Sequence, residues 1–450
     1  MYLRNFLSNR IVFSILFLML LQTASAASDK VTEKLLKNGM KVIVKEDHRA
    51  PVVVSQIWYK VGSSYESDGT TGVSHVLEHM MFKGTSQHPD DTFNKIIAAN
   101  GGEDNAFTSR DYTAYYQTLE KSRLDVSFKL ESDRMRNLIL RSEDFAQEIK
   151  VVQEERRWRT EDKPKALVYE QLYVTAFDNS GYHHPVIGWM GDLQNMNVED
   201  LKKWYQTYYS PNNAILVVVG DVNTTEVLQM AENYFADIKP SKKIPFKQRK
   251  ERIQRSSKLV KVMVPAKVAY LTIGFKVPVI NTASLAWEPY ALALLAGVLD
   301  GGDSTRLNRN LIKGKEIAVS AGADYTAGER MDTLFELNAI PASGKTIQAL
   351  QQAVMDELQA LKDNPVSLAE LDRIKNQIIA SAVFQKDSIF YQAMKIGQAE
   401  TTGVGWKVEE AYVDNIKEIT PEQIQQVAQK YLVPQRKTVA ILEPQTTHIR

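Results

Sequence analysis

Two periodicities, one of strands and one of helices, run along the chain. Met40 to Val44 alternates behind the turn Asn38-Gly39, so Lys34 to Glu46 reads as a hairpin, and Val52 to Val61 reads as a second strand. Val73, Val76, Leu77, Met80 and Met81 then share one arc of a helical wheel, with His75, Glu78 and His79 opposite. Lys83-Gly84 is expected to end that helix. Another helix is predicted over Asp91 to Asn100, stopped by Gly101-Gly102. Glu103 to Leu119 alternates and is rich in threonine and aromatics, which predicts two adjoining strands. Helices follow over Leu124 to Leu138 and from Ser142 to about Thr160, the latter with Glu143 and Asp144 in its first turn.

The plan then recurs. Val198 to Tyr209 reads as a helix and Ala214 to Gly220 as a buried strand, and Pro421 to Leu442 repeats that pair. Glu199 and Pro211 match Glu422 and Pro434 at one offset of 223 residues, so the chain reads as two copies of one fold. The basic, proline-containing run Lys239 to Lys258 reads as the linker, leaving units of residues 28–238 and 259–450. In the second copy Val268 to Val277 parallels Val52 to Val61. The helix after it, Trp287 to Leu299, carries neither histidine nor glutamate at the corresponding turn, so the second copy is expected to lack a metal site.

Composition sets the compartment and excludes some partners. The 450 residues are 44% hydrophobic and 24% charged, enough for sizeable cores. Arg4 and Arg10 precede the apolar run Ile11 to Leu21, and Ala24-Ser25-Ala26 follows, the form of a secretory signal cut after Ala26. The run is too short for a stable span, and an uncleaved anchor is the alternative. Without that segment 53 basic residues face 54 acidic ones, which implies no nucleic-acid partner. Cysteine is absent, so a zinc ion would need histidine and carboxylate ligands, and export to a periplasm is expected.

The chemistry sits in the helix around His75. His75 and His79 are one turn apart and can reach one ion, and Glu78 lies between them, the inverted zinc-protease arrangement H-x-x-E-H. Such a pair, standing alone, is more often solvated surface. Glu148 and Glu155, two turns apart on one stripe of the later helix, supply a third ligand 76 positions after His79 and leave the fourth position to water. Glu154 is the neighbour to be distinguished from Glu155; the face shared with Glu148 favours Glu155. Adjacent side chains point apart, so His183 and His184, ahead of Pro185, read as loop structure rather than a second metal site.

H-V-L-E-H-M-M-F-K-G-T, N-A-F-T-S-R-D-Y-T-A-Y-Y, E-S-D-R-M and E-I-K-V-V-Q-E-E-R, in that order, resemble the pitrilysin-type inverted zinc peptidases, which include insulin-degrading enzyme and the mitochondrial processing peptidase. The resemblance implies an α+β fold: two homologous domains, each a largely antiparallel sheet with helices on one face, closing as a clamshell. It implies one zinc per chain bound by His75, His79 and Glu155, with Glu78 as the base and Glu148 behind the ligands. It also implies that Asn105, Ala106 and Phe107 bind substrate backbone as an added strand. The alternative there is an ordinary edge strand protected by Asp104 and Arg110.

G-G-D-S-T-R-L resembles the segment in which the family places an arginine beside the metal, which makes Arg306 a catalytic candidate. The accompanying tyrosine position holds Val319, which has no hydrogen bond to give, and Tyr325 could replace it only if the backbone moved. Family members without the full pair resemble subunits that work with a zinc-less partner, so a dimer, and specifically a heterodimer, is expected. The activity implied is a zinc endopeptidase acting on extended peptides. The alternative is a non-catalytic scaffold or peptide-binding subunit.

Overall fold

In the computed structural model, which describes residues 30–242, 249 and 251–445, the strands gather into two sheets. The expected signal segment lies outside the described residues, as do 243–248 and 250 of the expected linker. The first sheet holds β1 (Val31–Leu35), β2 (Lys41–Glu46), β3 (Val52–Tyr59), β4 (Glu103–Thr108), β5 (Thr113–Glu120) and β6 (Ala214–Gly220), in the order β1-β2-β6-β3-β5-β4. The second holds β7 (Lys258–Pro265), β8 (Tyr270–Val277), β9 (Ala318–Asp324), β10 (Thr333–Pro341) and β11 (Lys437–Gln445), in the order β7-β11-β8-β10-β9.

From the second strand of the first sheet onward, the two orders superimpose. β2 pairs in parallel with β6 as β7 does with β11, and every other pairing is antiparallel. The two copies read from the 223-residue offset are therefore two α+β units of one topology. By the same correspondence β9, which carries Val319, stands where β4 stands in the first sheet, at the free edge.

Each sheet has its own helices on one face and one helix from the other half on the opposite face. Leu216 and Val218 of β6 look into the core shared with Val73, Val76, Leu77 and Met80. Ile215, Val217 and Val219 look the other way and pack with Ala393 and Ile396 of the helix Ile389–Thr402, which belongs to the second half. In return, Val168, Leu172 and Ala176 of the helix Pro164–Ala176 pack on Leu334, Ala440 and Leu442 of the second sheet. The physical reason is the continuous apolar run of β6: a strand buried on both faces needs two covers.

Candidate metal centre

The helix Val73–Met80 starts abruptly, because Gly72 sits at φ +87° and a buried carboxylate meets the helix end. Glu66 accepts from the backbone N–H of Gly72 at 2.7 Å and of Ser74 at 2.9 Å, which satisfies donors the helix itself leaves unpaired. Val73, Val76, Leu77, Met80 and Met81 are all buried, as the wheel predicts. The regular helix ends at Met80, a turn before the expected stop at Lys83-Gly84.

The second helix runs from Ser142 to Arg156 and continues as a π-helical turn over Arg157–Glu161. It crosses so that Glu155 faces both imidazoles. Glu155 Oε2 lies 3.6 Å from His75 Nε2 and 3.5 Å from His79 Nε2. Glu154 is turned away, 70% exposed and paired with Arg157. The structure thus brings together His75, His79 and Glu155, as the spacing predicts, and excludes the neighbour.

The donor set fits zinc. Ligand atoms about 2.0–2.1 Å from a tetrahedral ion lie roughly 3.3 Å from one another, close to the separations here. Glu155 Oε2 is buried and has no hydrogen-bond partner, and His75 Nδ1 is likewise unpaired. A buried carboxylate oxygen aimed at two ring nitrogens without a hydrogen bond is an arrangement that a shared cation would satisfy. Burial and the neighbouring His79 hold the His75 imidazole well below its ordinary pKa, so it stays neutral as a ligand must.

Behind these atoms lies a supporting layer. Glu148 Oε2 meets His79 Nδ1 at 3.2 Å, and Lys83 Nζ holds the other Glu148 oxygen at 2.5 Å. Arg159 forms an ion pair with Glu155 Oε1 at 2.7 Å and so leaves Oε2 for the ring nitrogens. Thr108 Oγ1 donates to Glu78, whose carboxyl burial raises above the ordinary glutamate range against that hydrogen bond. Sequence reasoning did not assign Lys83, Thr108 or Arg159. One of them carried a signal, since Arg159 follows Glu155 by one helical turn.

These groups open into a cavity of about 790 Å³ that is also lined by Asn105, Ala106, Phe107 and Thr108 of β4. β4 is a sheet edge, and the Ala106 N–H is taken by the Asn105 side chain at 2.8 Å. Arg110 does not guard that edge. It is turned inward, its guanidinium 3.9 Å from the centre of the Tyr173 ring.

Arg306 is not brought to this centre. The lining residues lie between His75 and Ile187, whereas Arg306 donates twice to Glu370, at 2.9 and 2.7 Å. Val319 is 62% exposed on the β9 edge. Tyr325 cannot replace the missing tyrosine, because it is buried and donates to the Pro278 carbonyl at 2.7 Å.

His183 and His184 depart from the sequence reading more sharply. A single 3-10 turn over Gly181–His183 brings their rings together, centroids 4.0 Å apart and planes tilted by 60°, and both Nε2 atoms face Asp68.

Comparison with known proteins places these features in context. The family described as insulinase (peptidase family M16) matches residues 41–188, and the one described as peptidase M16 inactive domain matches residues 195–378. A Helicobacter pylori protein named zinc protease PqqE is 34% identical over 76% of this chain and 76% of its own length. The crystal structure of a protease from Helicobacter pylori overlays with a TM-score of 0.87 at 30% identity, covering 92% of this chain and all of that one. The periplasmic protease PqqL of Escherichia coli shares the fold at a TM-score of 0.77 and 19% identity, covering 94% of this chain and 48% of that one.

Proposed function

Because this chain belongs to peptidase family M16, we propose that it is a zinc-dependent endopeptidase that hydrolyses extended peptides or unfolded segments. The observation that carries the reading is the convergence of His75, His79 and Glu155 from two separate helices, with Glu78 beside them in one cavity. Zinc held by two neutral imidazoles and a carboxylate supplies a Lewis acid and an activated water. Glu78 takes the proton of the attacking water and passes it to the leaving amine, work suited to a carboxylate whose basicity burial has raised.

Substrate enters as an added strand along β4, so that Asn105, Ala106 and Phe107 align its backbone and the cavity selects by enclosure. Entry displaces the Asn105 side chain from the Ala106 N–H. The second half lines none of the cavity among the described residues, and the Val319 side chain has no donor to offer. The missing oxyanion partner therefore comes from a zinc-less homologue in a heterodimer. The signal-like segment directs this chain to the periplasm.

Glu78→Gln tests the base. The variant should bind zinc as the parent does and lose cleavage of denatured peptides by three orders of magnitude or more; appreciable turnover would remove Glu78 from the role. The paired Arg306 and exposed Val319 favour a second reading, a peptide-binding scaffold. Peptide binding without cleavage, alone and with a zinc-less homologue added, would select it.

A further inference from the structure

We propose that Asp68, His183 and His184 form a second divalent-cation site, of the zinc class, in the wall of the same cavity and independent of the first centre. The ring nitrogens decide it. His183 Nδ1 lies 2.7 Å from the Ser180 carbonyl and His184 Nδ1 3.3 Å from the Ser63 carbonyl. A carbonyl only accepts, so a neutral ring that donates to one through Nδ1 has a lone pair on Nε2 to offer a cation.

Both Nε2 atoms face the Asp68 carboxylate. Asp68 Oδ1 is 2.9 Å from His184 Nε2 and 3.7 Å from His183 Nε2, and all three candidate ligand atoms lie within 4.8 Å of one another. His184 Nε2 and Asp68 Oδ1 stand at hydrogen-bond distance, and the hydrogen they share is what a bound cation would displace. A metal ion meets all three at once. Ring N–H groups anchored on backbone carbonyls are the usual way a protein fixes ligating histidines.

The ligands are also held in advance. Ser180 N–H, at the start of the turn, is tied to Glu251 at 2.8 Å. Gly181 approaches Ser64 so closely that a Cβ there would lie 2.1 Å from the Ser64 carbonyl oxygen. Asp68, 87% exposed, gives the cation its route from solvent and leaves room for water. Two imidazoles and one carboxylate suit Zn2+, Co2+ or Ni2+; Ca2+ and Mg2+ prefer oxygen alone. Bound cation would tie the cavity wall at 183–184 to the segment that precedes the metal-binding helix.

Calorimetric titration of the chelator-stripped full chain with Zn2+ tests this. The parent should bind two equivalents, His79→Ala and His183→Ala one each, and the double variant none. Saturating Zn2+ should raise the melting temperature of His79→Ala by several degrees and leave the double variant unmoved. Asp68→Asn, made at an exposed position that leaves the fold intact, should weaken the binding that survives in His79→Ala by tenfold or more. Absence of Zn2+ binding in His79→Ala, or binding unchanged by the added His183→Ala, overturns the proposal. A parent that binds one equivalent lost only in His183→Ala would keep this site and remove the first.

Discussion

Around the metal, single atoms decide what each side chain can do. Glu148 accepts from one face of His79 while the other face looks at Glu155, so Glu148 fixes the ring's tautomer and angle without touching the ion. Glu148→Gln should weaken zinc binding about 10–100-fold in a competition titration against a chelator, with the fold unchanged by circular dichroism. Unchanged affinity would mean that helix packing alone orients the ring. Tyr325→Phe carries the opposite expectation. Its hydroxyl is spent on the Pro278 carbonyl, so peptidase turnover should be unaffected while stability falls by about 1 kcal/mol in urea titration. His75, Glu78, His79 and Glu155 were legible because helical spacing alone puts them on shared faces. Thr108 was not, since its contact with Glu78 joins a strand end to a helix 30 residues earlier. His183 and His184 were misread for a related reason: whether neighbours diverge depends on the turn between them, and a tight 3-10 turn keeps them together.

Among the elements, the helix Ile389–Thr402 makes the strongest demand. Gly397 lies against Trp58, the largest wholly buried side chain of the first sheet, and a Cβ there would meet the indole at 2.1 Å. The indole cannot yield easily, because its Nε1 donates to Gln56 at 2.9 Å and its ring packs edge-on against Phe107 and Tyr112. Gly397→Ala should therefore cost about 1–3 kcal/mol by overpacking and lift the helix from the sheet. The check is a lowered melting temperature with faster proteolysis near Lys386. Gly191→Ala, at a glycine with open space around it, should be neutral by both measures. Strands and helices of the first half were readable from periodicity, since one buried face imposes it. The exchange of helices was not, because an apolar second face on β6 announces that a cover exists without saying which part of the chain supplies it.

For the molecule as a whole, the repeat revealed two copies but not how they are fastened. Likeness between segments carries no record of adjacency, and the run between the copies read as a passive linker. Glu251, inside that run, instead accepts from the backbone N–H groups of Asp178, Asn179 and Ser180 and from Lys276 of β8 at 2.7 Å. It clips the segment after the exchanged helix Pro164–Ala176 to the second sheet. Burial raises its carboxyl, but Lys276 and the three N–H donors outweigh burial and bring its pKa down to about 2. A carboxylate lowered on folding stabilises the folded form fully above its unfolded value, about 4.3, and loses that contribution as pH falls through the folded value. The shift corresponds to about 2–3 kcal/mol at neutral pH. Glu251→Gln should therefore be less stable than the parent by that order at pH 7. In chelator-stripped chains, where metal loss cannot intervene, the gap should narrow steadily as the pH falls below about 4.3. A gap that stays constant from pH 7 to pH 3 in urea titrations would show that Glu251 acts by shape, and that the halves are held by the exchanged helices alone.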